Sequence, residues 1–285
     1  PHRPMITASV FSAFTGDPQL VAEIERALAA CLECVFPIIW AGAQVWVKRA
    51  VVTKRVKWHR LQRAVAAIMP FELLRPTCDE LAGGAALRRE ASIIGALQRK
   101  GARVPEVLAR SEDWVALSDV GTALDKQIYA APDAAAACAL ALAGVEALLR
   151  LHAAGAWHGN TQSRNLAGPP DRIGFIDFEE DVRARLSLDG CHTRDLLLYL
   201  FSLATAEKRH AGIMNAVAAR MVEGTSPRVR KRLFRVWAAC FLPMAALRPF
   251  GKWLGWDVRK ALLLDAAPHT LAQVGARRLA RLLAV

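Results

Sequence analysis

The chain is 285 residues long and 54% hydrophobic, enough to bury a full core as one bilobal domain or two small ones. Its net charge of +12 attracts anionic lipid, nucleic acid or phosphorylated compounds without choosing among them. No uncharged apolar run reaches transmembrane length (Val236–Leu247 is short and broken by Pro243) and no basic-then-apolar leader opens the sequence, so neither an integral membrane protein nor a signal peptide is expected.

Residues 1–16 read as irregular. Asp17-Pro18 is a helix start, an N-cap followed by proline at the first helical position, and Leu20, Val21, Ile24, Leu28, Cys31 and Leu32 recur at helical spacing to about Cys34. Cys31-Leu-Glu-Cys34 has CxxC spacing without a second pair. Six cysteines at this length form no disulfide framework, so buried small apolar residues in a reducing cytoplasm are expected, with metal or redox use the alternative. Val35–Trp40 and Gln44–Ala50 read as strands around Ala41-Gly42-Ala43. The second places Lys48 among strand-forming apolar residues, where a solvated edge lysine is the better reading of that strand taken alone. Lys54–Arg63, with Trp58 inside it, leads into the apolar Ala64–Met69. That is the composition of an interfacial helix or of a solvated basic face.

Ala85–Lys100 has helical periodicity and closes at Gly101, a C′ glycine. Leu87, Ile94 and Leu97 mark its apolar face and Glu90 lies on that face, so it either flanks the stripe in water or needs a cationic partner. Strands follow at Val104–Ala109 and Trp114–Leu117, then the connection Ser118-Asp119-Val120-Gly121. Pro132-Asp133 starts an alanine-rich helix ending near Gly155. A further helix, Thr193–Ala204, carries Asp195 near its start, where a first-turn acid favourable to the helix dipole is one explanation. Residues 205–285 read as helical and basic, with Arg228, Arg230, Lys231, Arg232 and Arg235 clustered and Phe250–Trp256 rich in tryptophan. No repeat and no long linker interrupts the chain.

The most informative stretch is Trp157–Asp181, WHGNTQSRNLAGPPDRIGFIDFEED. His158-Gly159-Asn160…Asn165 and Asp177-Phe178-Glu179 bracket a Gly-Pro-Pro-Asp turn and the apolar run Ile173–Ile176, which predicts a β-hairpin with both polar clusters at one end. An amide and a carboxylate then meet at one mouth, a hard-oxygen pair suited to Mg²⁺.

This spacing resembles the protein-kinase fold, whose catalytic loop is His-x-Asp-x-x-x-x-Asn and whose metal-binding turn is Asp-Phe-Gly. The His-Gly pair and the Asp-Phe-Glu ending look most like the small atypical bacterial kinases of the lipopolysaccharide (Kdo/heptose) kinase group and relatives. The resemblance covers about residues 40–205. It implies an α+β, bilobal fold: an N-lobe (1–118) with an N-terminal helix, a short sheet and the Glu90 helix, and a helical C-lobe (119–285). It assigns Lys48, paired with Glu90, to nucleotide phosphates, and Asp119 and Val120 to a hinge beside the adenine. Asn165 and Asp177 would hold the metal, with His158 and Asp195 bracing the loop around Asn160.

The departures are specific. Asn160 stands where the family has its catalytic aspartate, and asparagine orients a hydroxyl without acting as a base near neutral pH, a loss on the order of 10²- to 10⁴-fold. Glu179, Glu180 and Asp181 follow Asp177-Phe178 where glycine is the norm, as a solvated acidic turn, a relocated base or a metal ligand. No Gly-x-Gly-x-x-Gly loop precedes Lys48, and about ten residues separate Asp181 from Cys191, too few for a long activation segment. The resemblance thus implies an ATP- and Mg²⁺-dependent phosphotransferase for a lipid-linked or lipopolysaccharide-type sugar hydroxyl. It would be cytoplasmic and peripheral on the inner membrane through its basic, Trp-bearing segments. The alternative is a pseudokinase acting as a nucleotide-binding or membrane-associated scaffold. A nucleic-acid-binding role rests on net charge alone and ranks below anionic lipid.

Overall fold

The structure, a computed structural model, describes residues 16–50, 83–178 and 182–236. The expectations for residues 1–15, for Lys54–Met69, for Glu179–Asp181 and for Phe250–Trp256 lie outside the described residues. The chain is α+β and divides into two compact units that interleave along the sequence: Pro1–Lys54, Glu80–Ile94 and Pro105–Asp119 form the first, and Arg55–Asp79, Gly95–Val104 and Val120–Val285 the second.

In the first unit, helix α1 spans Pro18–Ala30, with Asp17 accepting the Gln19 N–H at 2.8 Å as its cap and proline at the first helical position. It stops four residues short of the Cys34 boundary that its apolar spacing suggests. The reason is tertiary. The Arg49 guanidinium takes the carbonyls of Leu28 and Cys31, groups that another helical turn would have consumed, and Leu32 is left 94% exposed. Strands β1 (Val35–Trp40) and β2 (Ala43–Arg49) follow. Ala41 (φ 49°) and Gly42 (φ 79°) join them, the doubly left-handed pair of a two-residue hairpin turn. With β3 (Val107–Arg110) and β4 (Trp114–Ser118) they make an antiparallel sheet of order β1-β2-β4-β3. Alternation along β2 sends Val45 and Val47 into a core with Leu20, Val21, Ile24, Phe36 and Ala116. Trp46 and Lys48 take the other face, opposite Leu117 and Val115 of β4.

Helix α2, Gly84–Arg99, buries Leu87, Glu90, Ile94 and Leu97, the face its periodicity marked. It belongs to the first unit as far as Ile94 and to the second beyond it. Gly101 (φ 75°) closes it: Gly101 N–H donates to Gln98 O at 2.9 Å and Ala102 N–H to Leu97 O at 3.1 Å, the paired bonds of a Schellman ending.

The second unit is helical around one hairpin. A short helix α3 (Leu124–Ala130), which has no counterpart in the sequence reading, precedes α4 (Ala134–Ala153), capped by Asp133 through the Ala136 N–H at 2.8 Å. Among the described helices α4 is long and apolar enough to cross a membrane, although Glu146 and Arg150 interrupt its uncharged run. In the fold it is a core helix. Ala137, Ala141, Gly144, Val145, Ala147, Leu148 and Leu151 are buried, and Glu146 pairs with Arg220. Gly144 is required by close approach, since a Cβ there would stand 2.1 Å from the Tyr199 hydroxyl.

Strands β5 (Leu166–Ala167) and β6 (Gly174–Phe175) form the expected hairpin over a 3₁₀ turn at Pro170–Arg172, though β6 is two residues long rather than Ile173–Ile176. Helix α5 runs Leu188–Ser202 from a Ser187 cap, opening five residues before the expected Thr193. Residues 190–196 of α5 are all buried, so no amphipathic stripe marks this first half and Gly190 reads as a breaker. Helices α6 (Ala204–Arg209) and α7 (Ile213–Gly224) follow, and residues 227–236 are helical, with Val229 and Leu233 buried and Arg228, Lys231 and Arg235 exposed.

Candidate functional site

Two groups of polar residues stand out, one in each unit. In the first unit Lys48 of β2 meets Glu90 of α2. The Lys48 Nζ lies 2.9 Å from Glu90 Oε2 and 3.1 Å from Oε1, with Glu90 only 3% exposed. That answers the question its apolar helix face posed: the carboxylate is not a wet flank of the stripe but half of a buried ion pair. Both oxygens converge on one ammonium, the arrangement in which a buried pair offsets its desolvation.

In the second unit the centre is Asp195. It does not sit in a first turn, since α5 opens at Leu188, and the helix-dipole explanation no longer accounts for it. Its carboxylate is fully buried and accepts three hydrogen bonds: Gly159 N–H to Oδ1 at 2.7 Å, His158 N–H to Oδ2 at 2.9 Å, and His152 Nε2 to Oδ2 at 3.1 Å. Burial alone would raise this carboxyl. The hydrogen bond and electrostatic attraction of His152, with the neighbouring His158 and its N–H, outweigh it and hold the group below the ordinary carboxylate range.

Neighbouring residues of the same helix grip the same loop. Arg194 Nε donates to Gly159 O at 2.9 Å, and Thr161 Oγ1 donates to the Asp195 carbonyl at 2.5 Å. Behind Asp195, His152 stacks on His192 with ring centroids 4.1 Å apart, and His192 Nε2 bonds the Ala156 carbonyl at 3.0 Å. Burial and the proximity of His152 depress the His192 value to about 4, and burial raises the adjacent Cys191 thiol to about 11, which makes it unreactive.

The loop is tied forward as well as back. His158 Nδ1 accepts the Asn160 N–H at 3.2 Å, so Nε2 carries the proton and donates it to Ile176 O at 2.9 Å. Its ring packs on Phe178, centroids 4.6 Å apart. With both nitrogens engaged inside the fold, His158 is a brace rather than a proton acceptor. Asn160 is half-buried; its Oδ1 accepts from Gln162 Nε2 at 3.1 Å, and its carbonyl accepts from Asn165 Nδ2 at 2.8 Å.

That last bond turns the Asn165 side chain so that its carbonyl oxygen is the atom left to meet a cation. The hairpin register pairs Leu166 with Phe175, and Ile176 N–H donates to Asn165 O at 2.9 Å, so Asn165 and Asp177 do leave the hairpin at one end. Asp177 has φ 69°, left-handed backbone that a non-glycine residue holds at a cost, and such strain gathers at ligand sites. An amide oxygen and a carboxylate suit a hard divalent cation that keeps waters or phosphate oxygens on its remaining positions. Among the described residues no cluster of three or more His, Cys, Asp or Glu offers an all-protein cage.

The predicted hinge residues do different things. Asp119 is engaged through its side chain: its Oδ1 accepts the Trp46 indole N–H at 2.8 Å. Val120 is buried and its carbonyl takes Arg103 Nη2 at 3.0 Å, which commits that acceptor to the fold. The two-residue turn at Ala41-Gly42 leaves no phosphate-covering loop between β1 and β2.

His152, Thr161, Arg194 and Trp46 were missed by sequence reasoning. The first three lie in stretches whose helix boundaries or roles depend on packing. Trp46 had one usable signal, its i−2 spacing from Lys48 on a strand. No protein-family model matches the chain and no curated protein matches it, so the arrangement of these residues, rather than any relative, carries the functional argument.

Proposed function

We propose that the chain is a kinase-like, ATP- and Mg²⁺-dependent phosphotransferase whose acceptor is a sugar hydroxyl on a lipid-linked or lipopolysaccharide-type compound at the inner membrane surface. The observation that carries this reading is the double tether of the His158–Asn160 loop. Asp195 holds its amides from behind, and His158 fastens it to Ile176, one residue before Asp177. Holding a loop this firmly beside an amide–carboxylate pair positions a phosphate's metal and an attacking hydroxyl relative to each other, and positioning supplies most of phosphoryl-transfer catalysis.

Asn165 and Asp177 would hold Mg²⁺, which when bound neutralises charge on the transferring phosphoryl group. Lys48, oriented by Glu90, would meet nucleotide phosphates. Asn160 orients the acceptor hydroxyl by hydrogen bonding but takes no proton near neutral pH, so turnover is slow. The lipid-linked acceptor and peripheral membrane placement rest on the family resemblance and the net charge of +12, with the exposed Arg228, Lys231 and Arg235 face in support.

Asn160 and the short β1–β2 turn favour a second reading, a pseudokinase that binds nucleotide and serves as a membrane-associated scaffold. Thermal stabilisation by ATP with and without Mg²⁺, in the wild type and in Asp177→Ala, tests nucleotide binding first. A Mg²⁺-dependent shift that Asp177→Ala abolishes is expected, followed by acceptor phosphorylation in membrane extract. A shift without turnover selects the scaffold, and no shift at all overturns both nucleotide readings.

A further inference from the structure

The end of α1 carries Cys31-Leu32-Glu33-Cys34, a CxxC pair that the proposed phosphotransfer leaves unused. Local pattern and fold disagree there. The apolar spacing continues the helix to about Cys34, yet Cys31 already has extended backbone (φ −110°, ψ 134°) and residues 31–34 are non-helical. Arg49 maintains that ending. Its guanidinium donates to the carbonyls of Leu28 and Cys31, and its backbone N–H donates to Cys34 O at 2.8 Å. Leu28 O is the acceptor that the Leu32 N–H would take in one more helical turn.

Two observations mark this ending as held against local preference. Leu32 is 94% exposed, although a further turn would carry it onto the Val21, Ile24 and Leu28 face that α1 packs against the sheet core. Arg49 Nε is buried and, among the described residues, has no hydrogen-bond partner, a cost borne by the present ending.

The cysteines are placed to respond. Both are free thiols, Cys34 exposed and Cys31 half-buried. Among the described residues no group of three or more His, Cys, Asp or Glu could hold a metal, so the pair offers thiol chemistry instead. On a helix, residues three apart have Cβ atoms about 5–6 Å apart, and in a 3₁₀ turn they eclipse one another. Extended backbone instead carries them apart by about 3.3 Å per residue. A disulfide needs α-carbons within about 7 Å. The bond therefore suits the longer helix and opposes the ending that Arg49 holds.

We infer that Cys31 and Cys34 form a thiol–disulfide switch whose oxidation adds a turn to α1 and withdraws the Leu28 and Cys31 carbonyls from Arg49. The oxidant is a small-molecule disulfide, glutathione disulfide in the test below. The exposed Cys34 thiolate attacks one of its sulfurs, and the first glutathione leaves as a thiolate with the electron pair of the broken S–S bond. The Cys31 thiolate then attacks the Cys34 sulfur of the mixed disulfide and expels the second glutathione. The two cysteine protons end on the two glutathione thiols, so one disulfide is reduced as one forms. The switch lies one residue from Lys48 on β2 and does not depend on nucleotide binding.

The test places the full chain in glutathione buffers of graded composition. Alkylation with peptide mass analysis reads the disulfide, and amide hydrogen exchange reads the backbone. An intramolecular Cys31–Cys34 disulfide is expected, with protection at Leu32–Cys34 rising on the order of 10-fold or more. Leu32→Gly, at an exposed position, disfavours the added turn and should lower the equilibrium constant for disulfide formation roughly 3-fold. Arg49→Met removes the hold on the carbonyls and should raise that constant on the order of 10-fold. If Arg49→Met does not fold, Arg49→Lys keeps the charge without the fork and should move the constant in the same direction. A pair that stays reduced in oxidised glutathione, or that bonds to other cysteines, overturns the switch. So does a Cys31–Cys34 disulfide that leaves exchange at Leu32–Cys34 unchanged, or one indifferent to Leu32→Gly or to the Arg49 variants.

Discussion

Replacing Asp195 with asparagine tests whether one buried carboxylate holds the candidate site together. The carboxylate accepts from Gly159, His158 and His152, and an amide of the same shape can offer an acceptor on only one side. One buried N–H then faces an NH₂ group, at about 1–3 kcal/mol, and the remaining bonds lose charge assistance at about 1 kcal/mol each. The sum, about 3–5 kcal/mol, is a large share of a typical domain's stability. For a chain of this size it corresponds to a fall in Tm of roughly 10 °C. Differential scanning calorimetry reads the fall, and amide hydrogen exchange at His158 and Gly159 reads the cause, because those two N–H groups should lose protection first. A Tm change under about 2 °C with both amides still protected would refute the argument that Asp195 is the brace.

Three further outcomes follow from named contacts. His192, depressed to about 4 in the folded chain against an ordinary 6.5, takes up its proton first in the unfolded state. Stability therefore falls as pH drops from about 6.5 toward 4, by up to about 3 kcal/mol, and His192→Gln should flatten that slope in urea titrations across the window. Asp195, depressed, adds its own loss only below the unfolded carboxylate value of about 4, as pH falls through its folded value. Lys48→Met withdraws the ammonium from the buried Glu90 carboxylate and should cost about 3 kcal/mol more than the double change Lys48→Met with Glu90→Leu, measured by chemical denaturation. Asn160→Asp installs a base at the loop centre and should raise Mg-dependent phosphotransfer or ATP hydrolysis by on the order of 10²-fold or more, whereas a scaffold shows no gain.

The local chemistry of this chain was legible because it is written in neighbouring residues. Asp17-Pro18 and Asp133 set helix starts through their own caps, and Gly101 and Gly155 stop helices by adopting the left-handed backbone that ends them. The Gly-Pro-Pro-Asp turn folds a hairpin whose register brings Asn165 and Asp177 to one end. Glu90, on an apolar helix face, needed either water or a cation, and Lys48 supplies the cation.

What only the tertiary structure decided is where local signals are silent or contradicted. The apolar spacing of α1 continues past Ala30, but Arg49, distant in sequence, takes the carbonyls that would have extended it. Helix α5 carries no apolar stripe over its first turns because that half is surrounded, so periodicity alone starts it near Thr193 and puts Asp195 in a first turn that the fold does not have there. The bonds of His152 to the Asp195 carboxylate, of Arg194 to the Gly159 carbonyl and of Thr161 to the Asp195 carbonyl each join residues more than thirty positions apart. No period or cap encodes such contacts. They exist because buried polar groups, the Asp195 carboxylate and two backbone carbonyls among them, must be satisfied, and the packed fold determines which donors reach them.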